Sequence, residues 1–153
     1  GERARELHDR LDGARVTLIG WSLGGVVARE AARVHAPYVR EVITMGTPVL
    51  GGPKYTTVAE RFAASDNIDL DEFEKEVHAR NSEGLSQPIT AIYSKLDGIV
   101  GWRASVDSYN PQARNIEVYS SHFGIGAHGR VWQLIAETLG QTAEDDADSD
   151  VLE

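Results

Sequence analysis

The sequence predicts an α/β protein, a mostly parallel sheet with helices on both faces. Three patterns predict it. Short runs rich in Val, Ile and Thr recur along the chain without polar alternation, as strands covered on both faces do. Between them lie stretches with apolar residues three and four apart, the spacing of one helix face. Strand-like and helix-like stretches also take turns, and that alternation calls for crossover connections and parallel pairing.

Taken in order, Ala4, Leu7 and Leu11 mark the face of a first helix, and Gly13 sits where a helix end wants a residue free to take positive φ. Val16–Ile19 reads as the first strand and runs into the turn Gly20-Trp21-Ser22-Leu23-Gly24-Gly25. Val27, Ala31 and Val34 then trace a helical stripe that stops ahead of Pro37. Val42–Met45 is the second strand, ended by Gly46-Thr47-Pro48. Residues 51–87 break the rhythm and read as an insert. It holds helices around Val58–Ala64 and Leu70–Arg80, the second capped by Asp69 or Asp71. Ile89–Tyr93 and Ile116–Tyr119 are the third and fourth strands. A closing helix over Gly129–Leu139 buries Val131, Leu134, Ile135 and Leu139, and Gly140 stops it.

Composition narrows the function classes. A chain of 153 residues allows one domain, and 41% hydrophobic residues supply enough apolar surface to exclude disorder throughout. There are 24 acidic and 15 basic side chains, a net charge of −9 with no basic stripe, which excludes nucleic acid as a partner. Six of those acids, and no base, lie in Ala143–Glu153, so the expectation is a domain over 1–142 and a disordered acidic tail at 143–153. Cysteine is absent, which removes disulfides and Cys-based metal sites and leaves the compartment open. No apolar run approaches the ~18 residues that span a bilayer, so no transmembrane segment is expected. The chain opens on Gly1 and runs straight into charged, helix-like residues, as a piece of something longer does.

Ligand-handling groups of a parallel α/β sheet gather at the C-terminal strand ends. Ser22 follows the first predicted strand, Asp97 the third and His122 the fourth. The pattern Gly20-x-Ser22-x-Gly24 between a strand and a helix is the context of a serine thrust out on a strained turn, with Gly20, Gly24 and Gly25 giving strand and helix room to approach. The helix beginning behind Ser22 favours negative charge there, and the Leu23 N–H can point at it. A serine hydroxyl needs a base, and the base needs a carboxylate to orient it. Asp69, Asp71 and Asp107 compete with Asp97, but two lie in the insert and the third has no strand-end place. His128 competes with His122 from the start of the last helix. The glycine spacing fits neither a dinucleotide fingerprint nor a P-loop, and no histidine pair has zinc-helix spacing, so neither cofactor nor metal is expected.

VTLIGWSLGGVVAR at Val16–Arg29 resembles the nucleophile region of lipase- and esterase-like α/β-hydrolases. ITMGTPVLGG at Ile43–Gly52 is similar to the turn leading toward their lid, and AIYSKLDGIV and IEVYSSHFGIG resemble their acid and histidine loops. The resemblance covers roughly residues 1–140, the C-terminal part of that fold. It implies Ser22 as nucleophile, His122 as base, Asp97 as orienter, Leu23 as one oxyanion donor, Trp21 as a wall of the acyl pocket, and residues 51–87 as a lid. The activity implied is hydrolysis of a small-molecule ester or lipid. Acyl transfer or thioester cleavage uses the same triad, and a non-catalytic module or inactive fragment is the reading from another class. The fold's early strands and its second oxyanion donor would precede residue 1. Their absence implies an open edge at Val16–Ile19 through which the chain could associate.

Overall fold

The computed structural model describes residues 2–66 and 68–150. Strands β1 (Val16–Trp21), β2 (Val39–Met45), β3 (Ile89–Tyr93) and β4 (Arg114–Glu117) form one sheet in the order β1-β2-β3-β4, every pair parallel. The helices among the described residues are α1 (Glu2–Arg10), α2 (Leu23–Val34), α3 (Ala59–Asp66), α4 (Leu70–Ser82), α5 (Trp102–Ser105), α6 (His122–Ile125) and α7 (Gly129–Asp150). None is long and apolar enough to cross a membrane. The register sets Trp21 beside Met45, Met45 beside Ile92, and Tyr93 beside Glu117. The strands therefore finish nearly level, and their following loops emerge along one rim.

Each face of the sheet has its own core. On one, Ile43, Met45 and Ile92 pack against Val131, Leu134 and Ile135 of α7 and Ile125 of α6. On the other, Val39, Val42 and Ile89 meet Ala28 and Ala32 of α2. The α2 face differs from the expected Val27–Ala31–Val34 stripe. Gly25, Ala28, Arg29 and Ala32 are the buried positions, while Val27 and Val34 stand 63% and 71% exposed. Small side chains win because the helix lies close to the sheet. A Cβ added at Gly25 would fall inside the Thr47 side chain.

Other boundaries also move. β2 starts at Val39, since Arg40 and Glu41 interrupt the apolar run yet bond in place, Thr17 donating to Glu41 at 2.9 Å and Arg40 to Thr17 at 3.0 Å. β4 begins two residues before Ile116 and lies at the edge, where Arg114 and Asn115 remain exposed and carry no apolar signal. α7 passes through Gly140 to Asp150 and takes in most of the stretch expected as a disordered tail. A helix tolerates an exposed glycine at about 1 kcal/mol, and a methyl at Gly140 would meet nothing. Residues 151–153 lie outside the described residues. The insert contributes α3 and α4, and Asp69 caps α4 by accepting from the Asp71 and Glu72 N–H groups. β1 is an edge strand, with Ile19 and Trp21 41% and 38% exposed.

Candidate active site

Ser22 stands one residue past β1 with φ 54° and ψ −126°, a left-handed backbone that costs an L-residue free energy and persists only where surroundings impose it. The surroundings are visible. The Ser22 N–H donates to the Met45 carbonyl at 2.8 Å, extending the strand ladder, and the Gly25 N–H donates to the Ser22 carbonyl at 3.0 Å, opening the helix. Gly20 permits the turn because a Cβ there would strike the backbone of Gly24 and Gly25. Gly24 is different. Nothing lies within 4 Å of where its Cβ would be, so the room expected from it comes from Gly20 and Gly25 instead.

The rim brings three of the predicted side chains together. His122 Nε2 lies 3.0 Å from Ser22 Oγ, and His122 Nδ1 lies 2.7 Å from Asp97 Oδ2. An ionised carboxylate only accepts, so the Nδ1 proton belongs on the bond to Asp97, leaving Nε2 to accept from the serine hydroxyl. Both the His122 and Asp97 side chains are buried. Asp97 is held on its other oxygen, Oδ1 accepting the Ile99 and Val100 N–H groups at 2.9 Å each. His122 opens the short α6, which Ser121 caps by accepting from the Gly124 N–H at 3.2 Å. The competing acids are employed elsewhere. Asp69 is a helix cap, and Asp71 accepts from Lys54 at 2.6 Å. Asp107 is wholly buried against Arg29 at 2.5 Å. His128 precedes α7, its carbonyl accepting from the Val131 and Trp132 N–H groups.

Trp21, expected to wall the pocket, does something else. Its indole N–H donates to the His122 carbonyl at 3.1 Å, and its ring packs on the His122 and Phe123 rings at 5.5 and 6.0 Å. As the last strand residue it leaves the sheet toward the histidine loop, away from the cavity. That cavity, about 190 Å³, opens beside Ser22 and Leu23. Val26 of α2 and Val100 of the loop after β3 line it, and the insert gives it Phe62, Phe73 and Val77.

Two further residues shape the site without having stood out in the sequence. Gly46, with φ 52°, ends β2 directly under the pair, where a Cβ would lie 3.0 Å from Asp97 Oδ2 and 3.3 Å from His122 Nδ1. Buried Ser94 ties the acid loop to the histidine loop, its Oγ accepting from the Leu96 N–H at 3.1 Å and the Ser120 N–H at 3.2 Å. A glycine at a strand end was a signal for Gly46; nothing local marked Ser94.

The family model described as "alpha/beta hydrolase fold" matches residues 2–88, more than half of the chain. The chain belongs to the alpha/beta hydrolase fold family. The rest of the chain agrees at the level of shape. An alpha/beta hydrolase enzyme from a sediment metagenome of the Mar Chica lagoon, Morocco, superposes with a TM-score of 0.61 at 18% identity, over 92% of this chain and 68% of that one. A hydrolase of the alpha/beta superfamily from Oenococcus oeni gives 0.64 at 11% identity, over 91% and 71%. The mature lipase BlEst2 of Bacillus licheniformis gives 0.55 at 17% identity, over 80% and 64%. This α/β-hydrolase chain thus spans about two thirds of the length of the structures it resembles. No curated protein sequence matches it significantly.

Proposed function

We propose that this α/β-hydrolase chain belongs to a serine hydrolase that cleaves carboxylic esters through an acyl-enzyme. The observation that carries the reading is the unbroken hydrogen-bonded line from Ser22 Oγ through His122 to Asp97, beside an apolar cavity. Ser22 Oγ attacks the ester carbonyl while His122 Nε2 takes its proton. Asp97 stabilises the resulting imidazolium and fixes its tilt. The tetrahedral oxyanion collects at the start of α2, where the Leu23 N–H and the helix's positive end favour it. His122 then returns the proton to the leaving alcohol as the C–O bond breaks. A water molecule repeats the sequence on the acyl-Ser22 ester and releases the acid. Residues 51–87 act as the cap over the acyl cavity, since Phe62, Phe73 and Val77 of that stretch form its outer wall. A lipase among the structural neighbours agrees with this chemistry.

A fluorophosphonate probe tests the nucleophile directly, because it phosphonylates only an activated serine. The expected result is labelling at Ser22 that the Ser22→Ala variant abolishes. Labelling that survives the substitution overturns the assignment.

A further inference from the structure

Phe73, Val77 and Asn81 of α4 all line the cavity beside Ser22. Spaced four apart, they share one side of the helix. Phe73 stands across the cavity from the insert to its floor. The floor there is Gly52, buried and itself part of the lining, where a Cβ would lie 3.0 Å from Phe73 Cε1 and 3.5 Å from Val77 Cγ2. With φ 58° at Gly52, glycine suits the position and leaves its room to the ring. The Phe73 ring also packs edge to face on Phe62, their centres 5.8 Å apart, which holds it in place.

Asn81 closes the end away from Ser22. It is 6% exposed, its Nδ2 donating to the Val49 carbonyl at 2.9 Å and its Oδ1 accepting from Arg33 Nη2 at 3.1 Å. Arg33 is about 15 Å along α2 from Leu23. The two bonds knit α4 to α2 and to the loop after β2, and a chain pushing past them would strand buried polar groups. The other charged side chains of the lining, Arg29, Glu30 and Arg80, gather near this end and are paired, Arg29 with Asp107 and Arg80 with Glu30. The cavity is therefore blind. An apolar cavity of about 150 Å³ takes benzene, so about 190 Å³ takes roughly seven or eight carbons. With the carbonyl carbon at Ser22, a hexanoyl or octanoyl chain fits and a dodecanoyl chain does not.

We propose that the substrates are esters of neutral short- and medium-chain acids, up to about eight carbons, and that Phe73 sets the limit. The proposal rests on the reading of Ser22 as nucleophile, with the acyl group in this cavity. A longer chain has to displace the Phe73 ring or break the Asn81 bonds. Phe73 is here a specificity residue, remote from the bond that breaks.

The test is kcat/KM for p-nitrophenyl butyrate, hexanoate, octanoate and dodecanoate, each below the concentration at which it forms micelles. A buried methylene is worth up to about fourfold, so hexanoate should exceed butyrate by about 5- to 15-fold. Dodecanoate should fall at least about tenfold below the best ester, as overpacking a well-filled site does. Phe73→Ala opens space on the order of 100 Å³ and should raise the dodecanoate-to-hexanoate ratio at least about tenfold. Phe73→Trp should lower the octanoate-to-butyrate ratio at least about threefold. A residue that merely props up the insert would lower all four rates together and leave the ratios alone. Should Phe73→Ala fold poorly, Phe73→Leu keeps a packing side chain and should move the first ratio the same way, by about threefold or more. Dodecanoate cleaved as fast as octanoate, butyrate as fast as hexanoate, or unmoved ratios in folded variants overturn the length limit while hydrolysis still depends on Ser22. Rates no higher than those of Ser22→Ala for every ester overturn the nucleophile reading, and the proposal with it.

Discussion

Gly46→Ala isolates how closely the imidazole and its carboxylate are framed. The new methyl would start 3.0 Å from Asp97 Oδ2 and 3.3 Å from His122 Nδ1, so the pair must give by a few tenths of an ångström. Asp97 has little freedom to do so, because its Oδ1 is pinned by the Ile99 and Val100 N–H groups. The backbone adds its own cost, as φ 52° in a residue with a Cβ is worth about 1–2 kcal/mol. For a chain of this size that amounts to a fall in Tm of about 2–8 °C. A misplacement of about 1 Å near a reacting centre costs on the order of 100-fold, so a shift of a few tenths predicts about a tenfold loss. The loss should fall on kcat for p-nitrophenyl butyrate with KM nearly unchanged, because Gly46 does not line the cavity. A folded variant with undiminished kcat would refute the reasoning, since it would show that the pair need not be held where it is.

Gly24→Ala is expected to be harmless although Gly24 is the second glycine of the Gly-x-Ser-x-Gly pattern. Its Cβ meets nothing within 4 Å, and alanine in a helix is favoured by up to about 1 kcal/mol, so Tm should hold or rise with activity intact. Trp21→Phe keeps a ring against His122 but removes the indole N–H. A few-fold fall in kcat is expected, near the ~1 kcal/mol of one hydrogen bond, and an unaltered kcat would show that the contact is idle. Acid should loosen the insert. Hydrogen bonds from Lys54 hold the Asp71 and Glu74 carboxyls below their ordinary 3.8 and 4.5, so their contribution is full above those values and is lost as pH falls through the lowered ones. Limited proteolysis within 51–82 should accelerate below about pH 4, and Lys54→Met should flatten that dependence; identical profiles for the two proteins would count against it.

The legible part of this molecule was what one strand or one turn encodes. Ile89–Tyr93 is apolar because both faces are covered, Val16–Ile19 reads as a strand although Ile19 stays 41% exposed at the sheet's edge, and Ser22, Asp97 and His122 stand out because a polar residue at such a strand's end has a short list of uses. What stayed hidden depends on distance between elements. Val27 and Val34 gave the stronger periodicity on α2, yet the small residues face the sheet because the gap there is too narrow for valine. Arg29 and Asp107 lie 78 residues apart, and neither carries any local sign of the other. Gly46 read as the stop of a strand, when its lack of a side chain is what lets the acid and imidazole meet above it.

The tryptophan before the serine ties the edge strand of the sheet to the loop that carries His122. Trp21 is the terminal rung of β1, and its indole is fastened to main chain a hundred residues away, in the loop that carries the imidazole. A displacement of β1 is thereby carried through the Trp21 side chain to the backbone that holds His122 beside Ser22.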